Sequence, residues 1–365
     1  MRDIRRSVLF IVLTLIAIGV VMIYSSSAIH GYEKLTDSMY FLKKHLAFLV
    51  LGFIMMIASF LADLEVIKRL SKPMILVSIV LLVLVLIPGV GKEFGGARRW
   101  FSFGRLNFQP SEFAKIAMII YLAELVSRKE KDIRNLVWGY LPALIVIGMV
   151  VGLVMLEPDL GTAIDLAAIG FVIVFLAGAS IWHLIATWIV SLPVLYVELF
   201  KVSYRRRRLT IFLNPWSDTK GDGFQIIQSL LALSSGGLLG VGLGQSRQKL
   251  FYLPEPYSDF IFAIIGEELG FIGASAVIIL FILLLWQGIK IVYAAENKFK
   301  RLVSVGILVM ILLEVVINIG VVSGMLPTKG LPLPFISYGG TSLIFHMAAI
   351  GLLLNVTKQS IVYEN

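Results

Sequence analysis

Long apolar runs, repeated from one end of the chain to the other, are the feature that most limits its possible folds. The first of them, residues 8–27, reads VLFIVLTLIAIGVVMIYSSS and contains no charged side chain. A run of about 18 or more such residues can cross the hydrocarbon core of a bilayer as an α-helix. Because lipid offers the backbone no hydrogen-bond partner, such runs adopt helices. With 58% hydrophobic and 15% charged residues among 365, the chain is predicted to be a polytopic membrane protein.

The predicted fold class is therefore all-α, with about ten transmembrane helices forming one integral membrane domain over residues 1–365. The predicted spans are 8–27, 43–62, 73–90, 112–127, 138–156, 160–180, 183–203, 259–288, 301–326 and 341–357. The connection between the seventh and eighth spans, 203–258, is much longer than the others, and a connection of that length without a fold of its own is usually functional or disordered. Its stretch GFQIIQSLLALSSGGLLGVGLGQ is apolar but rich in glycine, which favours re-entrant or interfacial helices.

The cysteine and histidine content of the chain bears on which kinds of site it can form. It contains no cysteine, so disulfides, zinc–thiolate sites and iron–sulfur clusters cannot form. The four histidines show no metal-ligand spacing. The net charge of +9 does not indicate nucleic-acid binding, because basic residues of membrane proteins face lipid headgroups and mark cytoplasmic loops.

The first residues set the predicted orientation. Arg2, Arg5 and Arg6 precede the first span, and basic residues favour the cytoplasmic side. The N-terminus is then cytoplasmic, and an even number of spans makes the C-terminus cytoplasmic as well. Segment 203–258 falls on the outer side, together with the loops that contain GARRW, EPDLGTA and LPTKGLPLPFISYGGT. We therefore expect the functional loops on the outer face.

Positive charge is concentrated on that outer side, although topology disfavours it there. The stretch YRRRRLT places four consecutive arginines after the seventh span: Arg205, Arg206, Arg207 and Arg208. Further outer cations lie in motif-like loops: Arg98, Arg99, Arg105, Arg247 and Lys249. Gathered guanidinium groups suit a phosphate or diphosphate, which they bind in bidentate fashion. Contact with lipid phosphate at the membrane surface is the simpler alternative for some of them.

A carboxylate beside a row of small residues is the second candidate feature. Two prolines prevent a helix before Ser258, so Ser258 or Asp259 is expected to cap the eighth helix. Small residues follow on the same helix face as Asp259: Ala263, Gly266, Gly270 and Gly273. This lane either lets another segment pack closely or forms a groove for a lipid chain with its polar head at Asp259. With the arginines, the groove would suit an amphiphile with a lipid tail, a diphosphate link and a polar head.

Ionisable residues within the predicted spans are few. Glu112 and Lys115 in the fourth span are spaced i, i+3 and can pair on one helix face. They are either a structural ion pair or part of a substrate site.

Several of these stretches together resemble one family. These motifs occur in the order found in the SEDS proteins of bacterial cell-wall synthesis: GARRW, QPSEFAK, EPDLGTA, YRRRRLTIFLNPW, GFQIIQSLLALSSGGLLGVGLGQSRQKLFYLPEPYSDFIFAIIGEELGFIG and GLPLPFISYGGTSL. The resemblance covers nearly the whole chain. Within the family, the continuous arginine run and LGQSRQKLFYLPE are more similar to the division branch than to the elongation branch, and a sporulation paralogue of the division branch stays open as an alternative.

The resemblance implies a fold, an activity and a setting. SEDS proteins are peptidoglycan glycosyltransferases that polymerise lipid II, a disaccharide pentapeptide on undecaprenyl diphosphate. Their fold is a bundle of the GT-C type in the bacterial inner (plasma) membrane, with the active site on the outer face. The implied partners are a class B penicillin-binding protein, which is a transpeptidase, and other membrane proteins of the division machinery.

The resemblance also implies roles for individual residues. The family's essential aspartate falls on Asp259, and its glutamate–lysine pair falls on Glu112 and Lys115. Its arginine motif falls on residues 205–208, of which Arg206 and Arg208 are favoured.

A mechanism for lipid II polymerisation follows as a hypothesis. The α-linked diphosphate is replaced by a β-1,4 bond, and this inversion requires one general base, for which Asp259 is the candidate. The departing diphosphate is expected to be stabilised by Arg206 and Arg208, with Lys249. Arg98 belongs to the same set of outer cations. A divalent cation such as Mg²⁺ can share that task, although the sequence shows no dedicated site. The alternatives are a lipid II flippase, which requires polar residues deep in several helices, and a non-enzymatic scaffold.

Overall fold

The computed structural model describes residues 1–94, 96–104, 106–201, 203–219, 221, 223–250 and 252–358, and Arg105 lies outside these ranges. The described residues form thirteen α-helices, a few single turns of π- and 3-10-helix, and one small sheet. The α-helices are α1 (Arg2–Leu35), α2 (Tyr40–Leu61), α3 (Leu64–Arg69), α4 (Ser71–Leu86), α5 (Pro110–Arg128), α6 (Leu141–Leu156), α7 (Leu160–Leu176), α8 (Ile181–Tyr196), α9 (Ser203–Leu213), α10 (Phe224–Ser235), α11 (Ile261–Ala294), α12 (Lys298–Val322) and α13 (Gly340–Val356).

The predicted spans and the observed helices agree. Each predicted segment falls largely on one helix, in the order α1, α2, α4, α5, α6, α7, α8, α11, α12 and α13. In the part of the chain that the structure describes, six helical stretches are long and apolar enough to cross a bilayer. The all-α, polytopic fold class is therefore confirmed, and the number of ten crossings stays a prediction.

Helix α5 forms the centre of the bundle, and α8 lies at its edge. In α5, 15 of 19 residues are buried, and the helix contacts α4, α7 and α12. Of the described side chains of α8, Leu184 alone is buried. A helix that is apolar on every side is stable either inside a bundle or against lipid. The two helices therefore represent the two environments that a run of apolar residues can occupy.

A three-stranded antiparallel sheet connects α4 to α5, in a loop for which the sequence predicted no strand. It consists of β1 (Lys92–Phe94), β2 (Ala97–Phe103) and β3 (Leu106–Phe108), in that spatial order. Ala97 and Phe101 of β2 are buried. Because side chains alternate along a strand, Arg99 shares their face and Arg98 points to the opposite one. The sheet therefore turns one of two adjacent arginines towards the protein.

Helix α11 is broken at Gly270, whose φ of 68° and ψ of −167° are not helical. The break lies about 14 Å from the start of the helix at Ile261, at about 1.5 Å per residue. Residues 236–242, which we call the inserted segment, follow α10 and lie against the break. The backbone hydrogen bonds that join them run from Val241 N to Glu267 O (3.0 Å), Gly242 N to Glu268 O (3.1 Å), Phe271 N to Gly237 O (2.9 Å) and Ile272 N to Leu238 O (3.2 Å). The groups freed by the break are thus satisfied within the protein, as a membrane interior requires.

The lane of small residues on α11 is filled by the inserted segment. A Cβ added to Gly236 would lie 1.9 Å from the carbonyl oxygen of Gly266, and one on Gly270 would lie 2.3 Å from the nitrogen of Gly240. At Gly266 and Gly270, close packing is therefore confirmed and a lipid groove is wrong, because the inserted segment occupies that space.

The predicted cap of α11 is also wrong. The helix begins at Ile261 with Phe260 as its N-cap residue. The carboxylate of Asp259 instead accepts a hydrogen bond from the hydroxyl of Ser258 at 3.0 Å. Asp259 is therefore placed just before the helix and not on its first turn.

Gly270→Ala should destabilise the protein, and Gly148→Ala should not. The conformation of Gly270 is accessible to almost no other residue and costs an alanine about 1–3 kcal/mol before any clash. Gly148 lies in α6, where an added Cβ has open space. Thermal unfolding of detergent-purified protein, followed by tryptophan fluorescence, should show a lower Tm for the first variant only. Equal Tm values would contradict the strained break.

Candidate functional site

A cavity of about 690 Å³ opens at the end of the bundle that carries the sheet. Its wall combines β2, the start of α7, α9 and the connection between α12 and α13. Apolar side chains such as Ile164 and Leu199 form part of the wall. The charged residues that line it are Arg99, Asp159, Arg205, Arg208, Asp259 and Lys329. This composition suits a ligand with an anionic part and an apolar part.

Helix α9 turns two of its four arginines towards the cavity. Arg205 and Arg208 are three residues apart, so they share one face of the helix, and both line the wall. Arg205 is buried and pairs with Glu198 in the π-helical turn before α9. A guanidinium nitrogen of Arg208 donates to the carbonyl oxygen of Thr328 at 3.1 Å.

The other two arginines of the run face away from the cavity. Arg206 is exposed, and Arg207 pairs with Asp218 at 2.7 Å. The resemblance favoured Arg206 and Arg208. The structure brings Arg208 to the cavity with Arg205 as its neighbour.

On the sheet, Arg99 and not Arg98 reaches the cavity. Arg99 donates from Nε to the carbonyl oxygen of Glu157 (3.1 Å) and from Nη2 to that of Pro158 (2.7 Å). Its Nη1 lies 3.5 Å from the carboxylate of Asp159, which caps α7. Arg98 lies on the other face, where it pairs with Glu93 at 3.3 Å.

Asp259 lies where two cavities meet. It lines the large cavity and also a second one of about 160 Å³, and the two share Arg208 and Lys329 in their walls. The backbone around Asp259 is held firmly: its carbonyl oxygen accepts a hydrogen bond from Asn318 at 2.9 Å. Gly330 packs on the carboxylate, since a Cβ there would lie 2.3 Å from its Oδ2.

The surroundings of Asp259 make its carboxylate a stronger proton acceptor than an ordinary aspartate. Burial raises the pKa of Asp259 to about 6, against the opposing effect of the hydrogen bond from Ser258. The negative charges of Glu255 and Asp159 also raise this pKa, and the positive charge of Arg208 lowers it. A pKa just below neutrality leaves the group mostly ionised at pH 7 and able to take a proton.

Lys329 is a cavity residue that the sequence analysis did not single out. Its aliphatic chain lies across Gly161, where a Cβ would collide with it, at the start of α7. Burial lowers the pKa of Lys329 to about 8, although the carboxylates of Asp165 and Asp159 oppose the shift. The only sequence signal was its position in the glycine- and proline-rich motif LPTKGLPLPF, which lies in one of the predicted functional loops.

Glu112 and Lys115 form a buried charge cluster beneath the cavity. Nζ of Lys115 lies 2.9 Å from Glu112 and 2.5 Å from Glu314 of α12. The second oxygen of Glu314 lies 2.5 Å from Nε2 of His346 in α13. The cluster ties three helices together, which favours the structural reading of this pair.

Lys249 lies apart from the cavity. Its Nζ is 2.7 Å from Glu268 of α11, and both side chains are buried. Of the predicted site residues, the structure thus brings Asp259, Arg205 and Arg208 together at the cavity, where Arg99 and Lys329 join them. The other predicted residues, Lys249, Glu112 and Lys115, take part in ion pairs elsewhere. Within the described ranges, no group of three or more His, Asp or Glu side chains is arranged to hold a metal ion.

Comparison with known proteins decides the family. The model of the family described as "Cell cycle protein", which comprises FtsW, RodA and SpoVE, matches residues 5–361. The chain belongs to the FtsW/RodA/SpoVE family. The family predicted from the sequence motifs is thereby confirmed.

Relatives from both the sporulation and the division branches match over almost their full lengths. Stage V sporulation protein E of Bacillus subtilis (strain 168) is 46% identical over 350 residues, which cover 96% of each chain. The probable peptidoglycan glycosyltransferase FtsW of Trichlorobacter lovleyi is 42% identical over 349 residues, which cover 96% of this chain and 92% of the relative.

Solved structures of family members share the fold. A chain from a study of the structural coordination of polymerization and crosslinking by a peptidoglycan synthase complex matches with a TM-score of 0.79 at 33% identity, covering 97% of each chain. The rod shape determining protein RodA of Thermus thermophilus matches with a TM-score of 0.70 at 29% identity, covering 96% of each chain.

Arg208→Gln should weaken the binding of farnesyl diphosphate, a short polyprenyl diphosphate, by about tenfold, as expected for one lost hydrogen bond between charged groups. Arg206→Gln removes the same charge from another face of α9 and should change the affinity by less than about twofold. Thermophoresis with the purified protein measures both. Equal losses in the two variants would show that α9 attracts diphosphate only through its overall charge.

Proposed function

We propose that this chain is a peptidoglycan glycosyltransferase that polymerises lipid II into glycan strands. Membership of the FtsW/RodA/SpoVE family supports this, as does a relative named as a probable peptidoglycan glycosyltransferase. The observation that carries the proposal is the position of Asp259 between the two cavities. A carboxylate there can take a proton from a hydroxyl group in one cavity while a diphosphate-linked sugar occupies the other.

In the proposed reaction Asp259 is the general base. The 4-hydroxyl oxygen of one GlcNAc forms a bond to the anomeric carbon of the MurNAc of another lipid II molecule. The bond from that carbon to the diphosphate oxygen breaks, and the hydroxyl proton passes to Asp259. A single displacement of this kind inverts the anomeric centre, so one base suffices.

The cations of the large cavity are proposed to bind the diphosphate. The space next to Asp259 is surrounded by four cations: Arg205 and Arg208 on α9, Arg99 on β2, and Lys329. As the bond to the sugar breaks, negative charge grows on the diphosphate, and fixed positive charge stabilises it. The apolar part of the wall suits the first carbons of the polyprenyl chain.

The charges inside the bundle favour polymerisation over transport of lipid II. A flippase needs polar groups that line a route across the membrane. Here Lys115, Glu314 and His346 are each about 1% exposed and pair with one another. These side chains thus face one another and not an open route across the membrane, as in a structural cluster.

The proposed setting is the bacterial plasma membrane, with both termini in the cytoplasm and Asp259 on the outer face. A class B penicillin-binding protein is the proposed partner, supported by the similar chain from a peptidoglycan synthase complex. We propose synthesis of the division septum as the role, with other membrane proteins of the division machinery as further partners. The identity with stage V sporulation protein E supports a sporulation role as the second candidate.

Asp259→Asn should lower the rate of lipid II polymerisation at least 100-fold, because a general base contributes about 10²–10⁴ to the rate. Glu33→Gln removes an exposed carboxylate of α1 that lines neither cavity and should stay within about threefold of the wild-type rate. Gel analysis of glycan chains made by the purified protein with its transpeptidase partner measures both. Full activity of a folded Asp259→Asn variant would exclude the proposed base.

The pH dependence of kcat/KM should be bell-shaped, with its maximum between the pKa values of Asp259 and Lys329. Activity should rise as pH increases through about 6, because the base must lose its proton. It should fall as pH increases through about 8, because Lys329 then loses the charge that binds diphosphate. Arg208→Gln should move the acidic limb to higher pH, since Arg208 lowers the pKa of Asp259. An acidic limb that does not move in that variant would contradict this.

A further inference from the structure

A buried ion pair fixes the chain between the inserted segment and Asp259. Nζ of Lys249 lies 2.7 Å from Oε1 of Glu268, and their side chains are 4% and 0% exposed. Ser25 of α1 completes the cluster: its hydroxyl lies 3.1 Å from Nζ of Lys249 and 2.7–2.8 Å from the two carboxylate oxygens of Glu268. The cluster therefore joins α1, α11 and the loop that follows the inserted segment.

The adjacent carboxylate strengthens the same attachment. Glu267 accepts hydrogen bonds from the hydroxyl of Ser246 and from the backbone N–H of Arg247, the latter at 2.9 Å. Two successive carboxylates of α11 thus bind residues 246–249. Glu267 binds the side chain of Ser246 and the backbone of Arg247, and Glu268 binds the side chain of Lys249. Buried carboxylates are stable only with such partners, so this contact is specific in its geometry.

The ion pair closes a ring of chain that contains Asp259. From Lys249 the chain runs through Asp259 into α11 and returns at Glu268 to the point where it started. Where the ring begins, the backbone N–H of Leu253 donates to the carbonyl oxygen of Gln248, the residue just before the ring, at 3.0 Å. Closing a ring removes conformations that the open chain would sample, so the position of Asp259 depends on the closure.

The break in α11 makes this dependence stronger. Glu267 and Glu268 lie just before Gly270, and their carbonyl oxygens accept from the inserted segment. Residues 236–249 therefore fix the inner end of the first half of α11, while Asn318 holds the backbone of Asp259 at its outer end. The cations of the cavity are on other elements, since Arg99 belongs to β2 and Arg208 to α9. Loss of the ion pair would displace the carboxylate and leave the diphosphate site in place.

We propose that Lys249 and Glu268 are positioning residues for Asp259, in an inference that rests on the proposed function. They hold the carboxylate at the boundary of the two cavities without touching the substrate. This role replaces the expectation that Lys249 binds diphosphate, because its ammonium group is buried against Glu268.

The test compares kcat and KM for lipid II in the full-length protein reconstituted with its transpeptidase partner. Lys249→Met leaves Glu268 buried without its cation and should lower kcat at least tenfold, with KM changed by less than about twofold. Arg247→Met removes a cation from the same loop but keeps the ion pair, so both constants should stay within about twofold of wild type.

A double variant separates positioning from diphosphate binding. Lys249→Glu/Glu268→Lys reverses the two charges, keeps an ion pair at the same place in the ring and should bring kcat back to within about threefold of wild type. A raised KM in Lys249→Met that the double variant does not correct would instead assign Lys249 to the diphosphate and overturn the inference. If Lys249→Met does not fold, a folded double variant with kcat at least tenfold below wild type overturns it as well.

Asp259→Asn in the same assay distinguishes the two possible failures. If it polymerises lipid II as fast as wild type, the proposed function of the aspartate fails, and the positioning role fails with it. If Asp259→Asn is inactive and Lys249→Met matches wild type in kcat and KM, the positioning role alone fails.

Discussion

The requirement that every backbone N–H and C=O group has a partner inside the membrane governs this structure. Gly270 interrupts α11 well inside the bundle, and the interruption is stable because residues 236–242 supply the missing hydrogen bonds. Glycines on both sides allow the two backbones to approach this closely. The segment that satisfies the break also leads, a few residues later, into the chain that carries Asp259. The segment that supplies hydrogen bonds to the middle of α11 is thus part of the same stretch of chain as the proposed catalytic group.

The helices and the aspartate could be predicted from the sequence because their signals are local. Apolar runs of sufficient length mark the spans, and the motif around Asp259 marks the family. The choice among the arginines was not predictable in the same way. Arg205 and Arg208 share a helix face only because α9 forms inside a segment that the sequence presented as a loop. Likewise, Arg99 and Arg98 differ only by the alternation of a short strand that has little signal of its own.

The surroundings of other residues could not be predicted because their partners are distant in the chain. Lys249 looks like one more outer cation until Glu268 and Ser25 are seen beside it, and Ser25 precedes it by 224 residues. Lys329 reaches the cavity because Gly161, in another helix, leaves space for its side chain. The glycines of α11 indicated close packing, but nothing in their spacing showed that the packed element is an irregular segment. Such pairings depend on the tertiary arrangement, which a local pattern does not encode.

The charge cluster of α5 has a consequence for how the protein is assembled. Lys115 pairs with Glu314, which is made 199 residues later, and Glu314 pairs in turn with His346 near the end of the chain. Within α5 itself, Lys115 pairs with Glu112 at 2.9 Å, and charged residues inside a membrane span are costly without further partners. Lys115 therefore has its full set of partners only when α12 and α13 lie beside α5. A chain that ends before α12 would keep the pair of Lys115 with Glu112 and would lack Glu314 and His346, through which the central helix is tied to α12 and α13.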